Sequence, residues 1–482
     1  MQRTFLSNLF LVLVLNLLVK PFYILGIDAG VQDAVGTATY GGYAALLSLS
    51  FLLNILLDFG ITNFTTRHVA QHTHLMRKHL SGVLGARLVL VGLYAAVTFA
   101  AAYLLGYRGA QLGLLVWLVL NQALVAFILY LRSNIAGAQR FRQDSFLSVL
   151  DRLLLIAIVG WLLWGRVSGA PFRIEWFVWA QTGAYALTAV VALVLVLRLS
   201  GPVRPVWRPV FMWSIVRQSF PYALLVLLMT FYYRTDSVML ERLLPDGALQ
   251  AGIYAQGFRF FEAFNMVGYL FAGLLLPMFS RMLREGEDTG PLTGLATRLV
   301  LAGALAVAVI CSWNAQLVMD LRYTENTGAS APAFAVLVWC FVAVCTTYVF
   351  GTLLTANGDL RLLNRMAAGG MVLNVVLNLI LIPRYQALGA AWASLITQSL
   401  TAAVQVVMAL RRFRMVVRPA IVLRVLVYIG ALIGAVHLMQ DAPMGALFRL
   451  LLLFAVAGGL ALITGLAGPR ALMAVLQGHD KR

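Results

Sequence analysis

GTLLTANGDLRLLNRMAAGGMVLNVVLNLILIPRYQALGAAWASLITQ, from Gly351 to Gln398, is the stretch whose reading decides the fold. It begins with a helix end and a short polar loop. Met366 to Ile382 then runs without a charge and stops at Pro383-Arg384. At 1.5 Å per residue that run nearly crosses a ~30 Å hydrocarbon layer. A tight turn and another apolar helix follow. Asn374 and Asn378 are four apart and share one helix face. An amide in lipid is costly without a partner, so this face is expected to point into protein. Gly389, followed by Ala390, Ala391 and Ala393, lets the returning helix pack closely.

The rest of the chain has the same character. Of 482 residues, 61% are hydrophobic and 11% charged, and the mean hydropathy is +0.88. A soluble domain is about 25% charged. The composition therefore predicts an all-α, polytopic membrane protein. Barrel strands would alternate with period two, and the long unbroken apolar runs do not. The net charge of +18 is compatible with nucleic acid, but the basic residues sit between apolar runs. That placement fits the positive-inside bias and gives no nucleic-acid partner. Cys311, Cys340 and Cys345 all fall inside apolar runs, where they read as small core residues. Phe5–Ile27 contains Lys20-Pro21 and no small-residue cleavage site, so it reads as a retained first helix.

Fourteen spans are predicted, at 5–27, 40–61, 82–106, 109–131, 144–165, 176–198, 218–240, 250–280, 293–319, 331–356, 366–382, 387–410, 419–438 and 444–466. The longest outer loop, Asp28–Thr39, holds about a dozen residues. Of the 36 Lys and Arg, 24 fall in one alternating set of loops together with both termini, and 6 in the other set. That asymmetry predicts cytoplasmic termini. A weak repeat runs through the chain. Gly42-Tyr43-Ala44 opens the second span and Ile253-Tyr254-Ala255 the eighth, while Ala136-Gly137-Ala138 follows the fourth and Ala356-Asn357-Gly358 closes the tenth. The offsets of about 210–220 residues equal six spans, so the halves run parallel across the membrane. Two six-helix lobes are expected, at 1–200 and 218–412. A Pro-rich basic cytoplasmic linker occupies 201–217, and 413–482 adds helices 13 and 14 with a short cytoplasmic tail.

Ala356-Asn357-Gly358, Val372 to Asn378, Ile382-Pro383-Arg384-Tyr385 and Leu388 to Ala391 together resemble the bacterial polysaccharide-biosynthesis flippases. These are O-antigen flippase-like exporters of the multidrug/oligosaccharidyl-lipid/polysaccharide superfamily. The resemblance implies a fourteen-helix, two-lobe membrane protein that is a transporter and not an enzyme. It also implies a polyprenyl-diphosphate-linked glycan as substrate, membrane lipids as surroundings, and functional coupling to glycan assembly enzymes. In such flippases helices 1, 2, 7 and 8 contribute to a central cavity between the lobes.

Ionisable groups inside spans are the sharpest functional signal in such a chain. Lys20, Asp58, Arg234, Asp236, Arg259 and Glu262 lie on spans 1, 2, 7 and 8, while Arg87 lies on span 3 and Asp151 and Arg152 on span 5. Guanidinium forks suit phosphate oxygens, so Arg259, Arg234, Lys20, Arg152 and Arg87 are the candidate contacts for an anionic headgroup. Glu262, Asp236 and Asp58 are candidate ion-coupling groups, because a carboxylate in a low-dielectric cavity can hold a proton. The bland reading is that these charges form inter-helix pairs. Arg259 and Glu262, three apart, share a face, whereas Arg234 and Asp236, two apart, point different ways. Asn16 and Asn54 read as helix–helix hydrogen-bond partners. His68, His72, His74 and His79, with the cluster at Arg411-Arg412-Phe413-Arg414, read as a basic surface facing anionic lipid. Arg449 reads as structural or snorkelling.

The leading expectation is a flippase that moves an undecaprenyl-diphosphate-linked oligosaccharide from the cytoplasmic to the periplasmic leaflet of the bacterial inner membrane. Alternating access would turn about a cationic central cavity. No GxxxxGK[ST] loop is present, so no nucleotide cofactor is expected, and H⁺ or Na⁺ is the candidate coupling ion. The alternatives are an ion-coupled multidrug exporter, a peptidoglycan-precursor flippase, and a membrane polymerase or glycosyltransferase. The last usually needs a larger extracytoplasmic loop than this chain carries.

Overall fold

Lipid offers no hydrogen-bond partner to a backbone, so a chain this apolar must close its own amides within helices. The computed structural model describes residues 16, 18–62, 65–66, 69, 76–165, 170–203, 206, 209–416, 419–440 and 442–468. Among these the regular structure is helical and no strand occurs. His68, His72 and His74 lie outside the described residues, as does the predicted start of the first span.

A π-helical turn at Tyr23–Asp28 leads into α1, Ala29–Val35. α2 is Thr37–Leu52, followed by a 3₁₀ turn at Asn54–Leu57. Next come α3 (Met76–Leu104), α4 (Ala110–Gly137), α5 (Phe141–Trp164), α6 (Ile174–Ser200), α7 (Pro209–Leu243) and α8 (Gly247–Glu285). α9 is Gly290–Trp313, α10 the short Ala315–Arg322, and α11 Thr327–Ala356. α12 is Leu360–Arg412, α13 Pro419–Gln440 and α14 Ala446–Ile463.

Eleven described helices are long and apolar enough to cross a membrane. α12 contains two passages, because Gln386 has non-helical angles (φ 52, ψ −131) three residues after Pro383. Of the remaining expected spans, the second is interrupted by the 3₁₀ turn at Asn54–Leu57, and the first is described only from its second half onward. The expected fold class is therefore the one observed. A Cβ at Gly389 would stand 2.3 Å from the Leu381 carbonyl oxygen, so only glycine permits the close return after Gln386. Asn378 donates to Asn374 Oδ1 at 3.1 Å, and both residues are fully buried.

One expectation is corrected. The loop at Asp28–Thr39 is helical apart from a break at Gly36 (φ 83). The predicted span stopped at Ile27 because a Gly- and Asp-containing stretch resembles a turn. Pro21 lacks a backbone donor, and the helix accommodates it by widening to a π turn beginning two residues later, then continues.

The contacts divide the chain into two compact units, Met1–Ala255 and Gln256–Arg482. The first is built on an apolar cluster that includes Ile27, Tyr43, Leu46, Leu115, Phe177 and Val178. A second cluster gathers Ile61, Val83, Tyr130, Leu131 and Ile135. In the second unit α13 and α14 pack on α9 through Val309, Leu432, Leu453 and Ala457. The Tyr428 hydroxyl donates to the Ala302 carbonyl of α9 at 3.1 Å and lies 3.3 Å from that of Ala457 on α14. Tyr428→Phe removes this polar tie from the three-helix contact. It is expected to cost about 1 kcal/mol, read as a fall of a few degrees in the detergent melting temperature.

Candidate functional site

Helix 2 is interrupted near the end of its predicted span. After the 3₁₀ turn, Phe59 (φ 42) and Gly60 (φ 82) both take left-handed backbone. The side chain of Asp58 supports this bend. It accepts from Gly60 N at 3.1 Å, from Thr62 N at 3.2 Å and from the Thr62 hydroxyl. Arg87 of α3 completes the arrangement. Its guanidinium pairs with Asp58 and donates to the carbonyls of Leu57 at 3.3 Å and Ala126 at 3.1 Å. It also donates to Thr62 Oγ1 at 3.1 Å and lies over the Tyr130 ring at 4.6 Å. Arg87 is 5% exposed. It forms part of the wall of a cleft of about 300 Å³ whose other lining residues, among them Leu57, Leu84, Leu88, Leu120 and Phe127, are apolar. Arg87 and Asp58 thus form an internal support for broken backbone, beside a cleft whose apolar wall does not suit a sugar-phosphate.

A second charged group forms at the π turn of helix 1. Arg152 of α5 donates from Nη1 to the Tyr185 hydroxyl of α6 at 2.8 Å and stacks over the Tyr23 ring at 4.7 Å. Asp151 stands 3.9 Å from its Nε. Lys20, one turn before the π segment, is half-buried and feels the charges of Arg152, Asp151 and Arg132. Asn16 donates to the Ser148 hydroxyl at 3.3 Å, which ties helix 1 to α5 as a helix–helix contact. Two of the five candidate cations, Lys20 and Arg152, therefore share one neighbourhood, flanked by aromatic rings.

Beyond them lies a polar track absent from the sequence reading. The Tyr40 hydroxyl lies 3.0 and 3.1 Å from the two Asp28 carboxylate oxygens. Gln181 donates to the Tyr43 hydroxyl at 3.0 Å, and Thr182 to Asn121 Oδ1 at 2.7 Å. Asp28 was hidden by its assignment to a loop. Tyr23 and Tyr185 gave no signal, because an aromatic at helical spacing reads as core.

The remaining candidates lie on α7 and α8. On α7 the Arg234 guanidinium lies over the Phe51 ring at 4.6 Å. Asp236 is fully buried and accepts from the Tyr254 hydroxyl of α8 at 2.7 Å, so the two residues do point different ways. In the second unit Arg259, 2% exposed, donates to the Tyr323 hydroxyl at 3.1 Å. Gln256 donates to the Glu325 carbonyl at 2.9 Å, and Phe260 packs edge-on against Tyr323. This anchors the segment after α10 to α8. Glu262 is half-buried. Among the described residues no cluster of His, Cys, Asp and Glu has metal-ligand form.

An all-helical membrane chain with charged groups inside its units and long broken passages has the form of a transporter. Its fold resembles that of a protein described as "Lipid II flippase MurJ, inward closed conformation", at TM-score 0.75 and 11% identity, covering 96% of this chain and 100% of that one. An inward-facing multidrug resistance MATE family transporter of the MOP superfamily matches at TM-score 0.61 and 13% identity, covering 82% and 94%. The Vibrio cholerae MATE transporter VcmN in the bent form matches at 0.55 and 15%, covering 85% and 97%. The sequence profile of the family "Polysaccharide biosynthesis protein" matches residues 5–283, and the chain belongs to that family. The fold is shared with these flippase and MATE transporter structures. No curated protein matches the sequence.

Removing one partner of a buried ion pair strands the other. Arg87→Ala is therefore expected to destabilise the protein by about 3 kcal/mol, while Arg87→Met with Asp58→Asn recovers much of the loss. Thermal melts of the two variants in detergent check this.

Proposed function

We propose that this protein is a flippase that carries an undecaprenyl-diphosphate-linked oligosaccharide from the cytoplasmic to the periplasmic leaflet of a bacterial inner membrane, with both termini cytoplasmic. The observation that carries the reading is the placement of Arg152 at the π turn of helix 1, stacked over Tyr23 and donating to Tyr185, with Lys20 one turn earlier on the same helix. The Arg152 guanidinium, held over the buried rings of Tyr23 and Tyr185, offers what a diphosphate needs, fixed donors for phosphate oxygens. Tyr185 engages one nitrogen of Arg152, whose guanidinium carries five N–H donors. A π turn in a lipid-spanning helix suits a segment that bends as lobes 1–200 and 218–412 alternate their access.

Membership of the polysaccharide family and the flippase fold support a lipid-linked substrate. A peptidoglycan precursor is the second reading, favoured by the full-length likeness to the lipid II flippase. Of the candidate coupling acids, Asp58 supports broken backbone with Arg87, and Asp236 is sealed against Tyr254. Glu262 is only half-buried, within reach of an exchanging ion, and is the acid proposed to carry a proton or Na⁺.

Deletion of the gene is expected to make a lipid-linked glycan accumulate on the inner leaflet, and its chemical identity separates the two substrates. Arg152→Ala should reproduce that accumulation while the protein still inserts, and Arg152→Lys should restore little, because an ammonium lacks the bidentate fork. Normal surface glycan in the Arg152→Ala strain would remove the proposed contact.

A further inference from the structure

We propose that the turn between α3 and α4 and the end of α7 form a latch that holds one face of the transporter shut, and that it opens in each transport cycle. This rests on the transport reading above and adds the contacts that set the closed state.

Tyr107 lies in that turn, fully buried, with the Arg242 guanidinium of α7 over its ring at 3.8 Å. Arg242 also donates to the Leu105 carbonyl at 3.3 Å and pairs with its neighbour Glu241. Glu241 in turn accepts from Gln111 at the start of α4, at 3.3 Å. Arg242 reaches its position because the turn is shaped by Gly106 (φ 86) and Gly109 (φ 52). At the same end of these helices, Gln32 of α1 donates to the Gly252 carbonyl of α8 at 3.0 Å. α2 and α8 touch backbone to backbone there. A Cβ at Gly41 would fall 1.8 Å from the Ala248 carbonyl oxygen, and one at Gly252 would fall 2.0 Å from that of Thr37.

Two features mark this seam as reversible. Its ties are a cation over a ring and single hydrogen bonds from two side-chain amides and the Arg242 guanidinium to a carboxylate and backbone carbonyls. Its closest contact is between bare backbones, which have no interlocking side chains to disengage. It also joins α1 to α4 to the end of α7 and the start of α8, which the sequence repeat assigns to the other half. Separating the halves at this face requires Arg242 to leave Tyr107 and Gln111 to leave Glu241.

The test has two arms. In protein whose Cys311, Cys340 and Cys345 are replaced by Ala, the pair Gln111→Cys and Glu241→Cys should cross-link on mild oxidation. Glycan export should then stop, and reductant should restore it. In a second background carrying Ala44→Cys, a buried position on α2, Arg242→Ala should raise labelling by a membrane-impermeant maleimide about tenfold. Gly41→Ala, which forces α2 from α8, should do the same. Failure of the cross-link to form, export that continues through it, or labelling unchanged in both variants would overturn the latch. The labelling arm needs no substrate. Increased labelling beside an export assay that detects no glycan would fault the functional reading and leave the latch standing.

Discussion

The constraint on which this structure depends is that lipid cannot accept or donate a hydrogen bond. An unbroken helix meets it automatically. A helix that breaks must find other polar groups, and two of the breaks here have them at hand. At helix 2 the carboxylate of Asp58 takes the amides of Gly60 and Thr62 that the bend sets free, and Arg87 takes the Leu57 carbonyl. At the first passage the helix widens to a π turn, beside which Arg152 and two tyrosines gather. Between the two passages of α12, Gln386 turns the chain and Gly389 lets it return.

The same constraint explains why so few charges do so much. Only 11% of the residues are charged, and those placed above within the units engage rings, hydroxyls or carbonyls. A cation over an aromatic ring keeps some of its attraction where water is absent, which is how Arg152, Arg234 and Arg242 are each accommodated. Arg87 has geometry suited to support, since its donors meet backbone already present. Arg152 is less buried, and its printed partners are side chains: the Tyr185 hydroxyl, the Asp151 carboxylate and the Tyr23 ring.

Much of the fold was legible in the residue pattern. The stretch from Gly351 to Gln398 gave two passages with a tight return and a buried amide face, and Asn374 and Asn378 are indeed buried and bonded to each other. The all-helical class followed from the length of the apolar runs. The candidate site was half legible. The ionisable residues inside spans could be named, because charge in an apolar run stands out. Their partners could not, because Tyr23, Tyr185, Tyr130 and Tyr323 look the same in sequence whether they fill space or hold an arginine. Asp28 was lost for a related reason: glycine and aspartate together resemble a loop until the surrounding helices supply Tyr40.

The sequence by itself determined that the chain is a helical membrane protein and which positions carry charge into it. Both follow from local quantities, the free energy of transferring each side chain and the length of each run. Tertiary structure alone decided that Arg87 belongs with Asp58, that Arg152 stacks on Tyr23, and that Arg242 covers Tyr107. Those pairings join residues separated by 29, 129 and 135 positions, and only the packing of one helix against another brings their side chains within reach.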